Sequence, residues 1–259
     1  MLAEGGKKMN FEAIYVIWLR ELKRYTRARS NIIGSLAQNF FWLAIFGFGL
    51  GASVMIPGID NYIIFLAPGI VGMTLLFSSI FSGIGVVWDK QFGFLKEILV
   101  APVPRSSIML GKTLGGATTS TFQAFIMLLL AGLIGVPIFA NPMGIGIAVV
   151  IMFITACAFV ALGVAIASTM RDPHGFQLIM NFIVMPLFLL SGAFFPVTNL
   201  PGWLQVLVLF DPLTYCVDGL RNTVIGVSAF PLTITISVLI GFMIATLLLG
   251  SILFRKTEI

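Results

Sequence analysis

Six apolar runs decide what this chain can become. Residues Ile32 to Met55, Ile63 to Val87, Leu114 to Ala140, Met143 to Thr169, Leu178 to Phe195 and Pro231 to Phe254 contain no Asp, Glu, Lys, Arg or His. About 20 apolar residues in a helix, rising 1.5 Å each, cross the hydrocarbon of a bilayer. Lipid offers nothing to an unpaired backbone N–H or C=O, so segments like these cross it as helices. With 59% hydrophobic and 10% charged residues, the chain reads as an all-α integral membrane protein of six transmembrane helices. Residues Met1 to Lys8 carry no apolar core and no small-residue cleavage site, so the first run is expected to act as its own insertion signal.

The segments between the runs hold the charge. Residues 11–29 place Phe11, Tyr15, Trp18, Leu22 and Tyr25 on one helical face, with Arg20, Lys23, Arg24 and Arg27 elsewhere. This predicts an N-terminal amphipathic helix capped by Asn10 and lying in the membrane interface; the same pattern would serve a docking helix for a soluble partner. Residues Trp88 to Lys112 form a charged island between two uncharged runs, read as a loop. Within it Phe94, Leu95, Ile98 and Leu99 predict a helix of about two turns with a one-sided apolar face, ended by Pro102. That face belongs either against the chain's own spans or against a partner.

Beyond the fifth run, which is kinked at Pro186, the apolar stretch Pro196 to Gly226 is interrupted. Asn199 with Pro201 in the first turn, and Asp211 with Pro212, are start signals, and Gly226 is a stop. Two helices too short to cross are expected here, forming a re-entrant or outer-surface hairpin that contains Asp211, Asp218 and Arg221. Placing the N-terminus, the Trp88–Lys112 island, residues 170–177 and the tail on one side collects 14 of the 15 Lys and Arg, with Arg221 alone opposite. That side is the cytoplasm, so both termini are cytoplasmic in a multi-pass protein of the plasma or inner membrane. The net charge of +5 then reports topology and contact with lipid headgroups, not nucleic acid. No repeat and no linker is visible. The chain is therefore expected to be one domain, with an interfacial helix in 1–31, a six-span core in 32–254 and a short tail in 255–259.

The chemistry is defined by what the spans lack. Ion-coupled carriers normally carry a charged or titratable residue at mid-membrane, and no Asp, Glu, Lys, Arg or His stands in the six runs; no selectivity-filter sequence occurs either. Gly111-Lys112-Thr113 ends like a phosphate-binding loop, but position 106 is Ser and no strand precedes it. His174 beside Asp172 reads as a solvated turn residue, and Cys157 and Cys216 as packing residues with no metal spacing. No nucleophile, base and orienter share a depth, so no enzyme activity is expected.

Two longer motifs carry a resemblance. The first is Gly93-Phe94-Leu95-Lys96-Glu97-Ile98-Leu99-Val100-Ala101-Pro102-Val103-Pro104-Arg105 with Gly111-Lys112. The second is Ser191-Gly192-Ala193-Phe194-Phe195-Pro196 through Leu200-Pro201, Asp211-Pro212-Leu213-Thr214-Tyr215 and Asp218-Gly219-Leu220-Arg221. Over nearly its whole length the chain resembles the membrane subunits of type-2 ABC exporters, in the branch of daunorubicin-resistance and nodulation-factor export permeases. The second motif usually has Asn where Asp211 stands; both residues cap helices.

The resemblance implies that Phe94, Leu95, Lys96, Glu97, Ile98, Leu99 and Val100 form the coupling helix seated on an ATP-binding subunit. It implies two copies of that subunit, which hold the ATP and Mg, no cofactor on this chain, and a second permease as homodimer or heterodimer. The first and fifth spans would line the pathway, with Phe40, Phe41, Trp42 and Phe46 as lining residues on the first and Met180, Phe182, Met185 and Phe188 on the fifth. Re-entrant helices carrying Pro196, Pro201, Trp203, Asp211, Asp218 and Arg221 would close its outer end. The expected function is ATP-driven export of a hydrophobic or amphiphilic compound, drug-like or lipid-like, as in multidrug efflux. A lipid-linked glycan is the alternative cargo on the same fold; an ion-coupled carrier and a non-transporting assembly subunit are the competing classes.

Overall fold

The computed structural model describes residues 9–51, 61–93, 103–138, 142–170, 172–197 and 200–255. Their regular structure is helical: α1 Phe11–Arg27, α2 Arg29–Gly51, α3 Tyr62–Ser82, α4 Ile84–Gln91, α5 Arg105–Leu133, α6 Pro142–Thr169, α7 Pro173–Leu190, α8 Gly202–Phe210, α9 Pro212–Ile225 and α10 Leu232–Arg255. Six stretches are long and apolar enough to cross a membrane: α2, α3 with α4, α5, α6, α7 and α10. The expected all-helical, six-span architecture is present.

α3 is the central helix, packed against α2, α5, α6, α7 and α9. Its span is 83% buried, against 17% for α2 and for α10, which form the flanks. Without a hydrophobic force between helices in lipid, close packing at small residues holds them together. The tightest crossing lies where α3 gives way to α4. A Cβ on Gly83 would fall on the backbone of Gly163 in α6, and one on Gly163 would stand 2.5 Å from the carbonyl oxygen of Ile80. The two backbones therefore touch, with no side chain between them.

The structure moves several boundaries. α4 runs to Gln91 and α5 begins at Arg105, so both ends of the Trp88–Lys112 island are helical, not loop. Charge does not stop a helix whose backbone bonds continue, and the charges find partners, as described below. The expected helix Phe94–Val100 lies outside the described residues, as does Asn199. The fifth span runs from Pro173 to Leu190 instead of Leu178 to Phe195. Asp172 accepts from the backbone N–H of His174 and Gly175 and so starts the helix early, with Pro173 in its first turn.

The two short helices after it are α8 and α9. Pro201 precedes α8 and does not lie inside its first turn, while Asp211, Pro212 and Gly226, at φ +73°, delimit α9 as their residue types require.

Candidate functional site

Three arrangements stand out, one at the end of the bundle that carries α1, one in its middle and one at the opposite end. The first is a buried ion cluster. Residues Gly111 and Gly115 make a groove on α5, in which a Cβ would stand 2.8 Å from that of Ile17 and 2.5 Å from that of Glu21. Only glycine lets α1 sit this close. The indole of Trp18 donates to Thr118 Oγ1 at 3.1 Å, and the backbone N–H of Asn10 donates to Ser107 Oγ at 3.1 Å. Phe11 and Tyr15 remain exposed. α1 is thus amphipathic as expected, but its inner stripe of Ile17 and Glu21 is docked on the protein.

Under α1, Lys112 donates to Asp89 at 2.5 Å and lies 3.8 Å from Glu21. Arg20 pairs with the other oxygen of Asp89 at 3.1 Å, and Arg24 with Glu21 at 2.5 Å. Lys112, Asp89 and Glu21 are each no more than 6% exposed. These ions tie α1, α4 and α5 into one unit. Beside them, Lys90 donates to the backbone oxygens of Ser168 and Met170, fastening α4 to the end of α6. The resemblance of Gly111-Lys112-Thr113 to a phosphate loop has a different physical content: the glycine seats a helix and the lysine joins two carboxylates.

The second arrangement is a cleft of about 890 Å³ directly beyond the cluster. Its lining brings together Arg20, Glu21, Arg24 and Asp89, then Phe77, Ser78, Phe81 and Ser82 on α3, Trp88 on α4, and one face of α2. There α2 contributes Asn31, Ser35, Gln38 and Asn39. Asn39 donates to Thr74 Oγ1 at 2.9 Å and Gln123 of α5 to Ser35 Oγ. α7 closes the side with Gln177 and Met185.

Of the eight residues named from sequence for the pathway, Trp42 and Met185 line this cleft. Phe46 stacks on Trp42 at 5.1 Å, and Phe188, 3% exposed, packs edge-on to Phe77. Met180 is buried in the core, Phe40 packs half-buried against it, and Phe41 and Phe182 face outward at 62% and 82% exposure. The aromatic wall of α3 and α4 escaped the sequence reading. The polar stripe had a legible signal: Asn31, Ser35 and Gln38 recur at i, i+4 and i+7 on an otherwise apolar helix.

The third arrangement is a clamp around Arg221. From α9 this side chain donates to the carbonyl oxygens of Gly192 at 2.7 Å and Ala193 at 3.2 Å, just past α7, and to that of Phe65 on α3 at 3.3 Å. Its guanidinium also lies 3.7 Å over the Phe65 ring. Asp218 accepts from the backbone N–H of Ala229 and Phe230 at 2.7 and 3.0 Å, shaping the entry to α10. Asp211 caps α9 through Leu213 N–H at 2.9 Å. Of the other residues named for this end, Pro196 is half-buried, while Pro201 and Trp203 are exposed.

Asp211 caps α9 and Asp218 and Arg221 lie on it, outside the six long spans. Burial pushes the Asp218 carboxyl up and draws Arg221 down to about 9. Asp211 is pushed up from 3.8 to about 7 by burial, against the bonds from Leu213 and Thr214. A carboxyl raised by folding stabilises the fold below its unfolded value, and that contribution is lost as pH rises through the folded one. Asp211→Asn keeps the cap without the charge. Thermal unfolding in detergent should therefore show the native protein losing roughly 4 kcal/mol relative to Asp211→Asn between pH 4 and 8. Parallel pH profiles would show that Asp211 ionises as freely folded as unfolded.

Comparison with known proteins bears on all three arrangements. Residues 12–225 match the family described as ABC-2 type transporter. The chain is 25% identical over 245 residues to Nodulation protein J of Rhizobium leguminosarum bv. viciae, covering 93% of each. It is 27% identical over 263 residues to the putative transport permease ycf38 of Cyanophora paradoxa, covering 95% of this chain and 88% of that one. To the inner membrane transport permease YadH of Escherichia coli K12 it is 26% identical over 235 residues, covering 90% and 91%.

Proposed function

The chain belongs to the ABC-2 type transporter family, a multi-pass membrane protein with the helices of a transport permease, and from that premise we propose that it is the membrane half of an ATP-driven exporter. Two ATP-binding subunits, which hold the ATP and Mg, supply the energy, and this chain contributes the path for a hydrophobic or amphiphilic substrate. The basic end faces the cytoplasm of a cell bounded by the plasma or inner membrane, with both termini on that side. A separate motor docks on the segment Phe94 to Val100, and the Arg221 clamp lies toward the outer face.

The observation that carries this reading is the ion cluster. α4 leads directly into the segment expected to meet the motor, α5 leads out of it, and Lys112, Asp89 and Glu21 lock both helices to α1. A push delivered between residues 92 and 104 therefore moves three helices together, which is how a rigid-body transition is driven from one end.

A second permease copy sits against α2 and α7. Gln38 on α2 and Asn181 on α7 are exposed within helices long and apolar enough to cross a membrane, and an amide left unbonded in hydrocarbon costs several kcal/mol. That face belongs against protein or a water-filled path. Whether the partner is the same chain or a related one, α2 and α7 also line the cleft.

The test is ATPase activity of the purified chain in lipid, alone and with the ATP-binding protein encoded beside it. The expected result is no activity alone, activity with the partner, and ATP-dependent transport that survives collapse of ion gradients. Transport lost with the gradients would instead establish an ion-coupled carrier.

A further inference from the structure

We infer that Lys90 is the positioning residue through which α4 carries the motor's stroke to α7. This rests on the export reading and adds to it a second line of transmission, separate from the ion cluster. Two adjacent residues divide the work. Consecutive side chains on an α-helix point about 100° apart, and in the last turn of α4 Asp89 and Lys90 use that angle to hold different neighbours. Asp89 meets Arg20 of α1 and Lys112 of α5. Lys90 reaches the end of α6, where its ammonium donates to the carbonyl oxygens of Ser168, of Met170 at 3.1 Å and of Ala167 at 3.4 Å.

The last four carbonyls of an α-helix have no partner within it and carry the negative end of its dipole. An ammonium has three N–H donors and no acceptor, so Lys90 meets the end of α6 with the matching charge and matching bonds. Such charge-assisted bonds are the stronger kind. Packed side chains transmit a push but part under a pull, whereas bonds to a cation resist both. α4 packs directly on α6 and α7, which serves the push; the ammonium serves the pull. From there the path to α7 is short. Residues 171 and 172 alone separate Met170 from Pro173, where α7 begins, and Asp172 fixes that start by accepting from the N–H groups of His174 and Gly175. A displaced end of α6 therefore displaces a helix that lines the cleft with Gln177 and Met185. Without Lys90, the ion-locked unit of α1, α4 and α5 moves, and α7 has packing alone to follow it.

The experiment reads distances between paired spin labels in the full chain assembled in lipid with the ATP-binding protein encoded beside it, with and without the ATP analogue AMP-PNP. Labelled cysteines replace three exposed residues: His174 at the start of α7, Lys23 on α1, and Ile252 near the end of α10 as the reference. The labelled chain is diluted in unlabelled chain so that one copy is read. Cys157 and Cys216, 4% and 0% exposed, stay in place. Nucleotide should shift both the Lys23–Ile252 and the His174–Ile252 distances when Lys90 is present. In Lys90→Met, close to lysine in length but without charge or donor, the shift at His174 should be lost and that at Lys23 kept. Lys90→Arg, which retains charge and donors, should restore at least part of it. A full shift at His174 in Lys90→Met would overturn the proposal, since packing would then suffice. Loss of both shifts there, or equal loss in Lys90→Arg and Lys90→Met, would also overturn it by making Lys90 a general packing residue. If Lys90→Met does not assemble, Lys90→Gln, uncharged but still a donor, takes its place with the same expected split. With Lys90 present, a response at Lys23 and none at His174 would overturn this role alone. No response at either site would overturn the export reading and this role with it.

Discussion

In the Lys112→Met variant, α1 leaves its seat on α5 and partner-driven transport falls at least tenfold, while the six spans still insert. Met matches the length of Lys but removes the charge between Asp89 and Glu21, which are 5% and 6% exposed. Arg20 and Arg24 still reach those carboxylates, yet both are partly solvated, so the interior keeps two negative charges that have lost their shared cation. Breaking a buried ionic group from one side typically costs about 3–5 kcal/mol, whereas replacing all its members with apolar residues is close to neutral.

That asymmetry supplies the control. Lys112→Met together with Glu21→Met and Asp89→Leu should recover most of the thermal stability lost by the single change. A cysteine at Ile17, shielded at 9% exposure, should react with a soluble maleimide in the single variant and far less in the triple one. Native melting and native labelling in Lys112→Met would mean that the Gly111–Gly115 groove holds α1 without the ions.

The second large effect concerns the segment outside the described residues. Leu95→Asp or Ile98→Asp places a charge on the apolar face of the expected coupling helix. If that face docks on the ATP-binding subunit, either change should reduce ATPase activity in the reconstituted complex to that of the motor alone. Membrane yield should stay native, because the substitutions lie between α4 and α5 and not within a span. Intact stimulation in both variants would remove the segment from the coupling path and leave α1 as the next candidate for the motor contact.

What the sequence discloses about this fold follows from what each feature depends on. Runs without charge are local, so six spans, the Asp211-Pro212 start and the Gly226 stop could be read directly. Helix ends near charge could not. Lys112 and Asp89 read as loop residues because their partners lie on α1 and on each other, 23 residues apart, and pairing over such distances is a tertiary fact. The groove for α1 was similarly concealed, since Gly111 and Gly115 gain meaning only when Ile17 and Glu21 press on them. In the cleft, aromatic content on the first and fifth spans pointed to Trp42 and Met185, but facing direction is set by packing. Phe41 and Phe182 therefore turned outward while Phe77, Phe81 and Trp88 turned in.

The seat of α1 also dictates an order of assembly. Trp18 and its partner Thr118 are 100 residues apart, so at roughly 5–20 residues per second a ribosome makes the helix about 5 to 20 s before its groove exists. During that wait Glu21, Arg20 and Arg24 need water, and Phe11, Tyr15 and Trp18 need shelter from it; the bilayer surface provides both. The amphipathic pattern that reads as an interfacial helix describes this waiting state, and the buried ion cluster describes where it ends. One seventeen-residue helix is thus encoded for two addresses, occupied in sequence as the nascent chain matures.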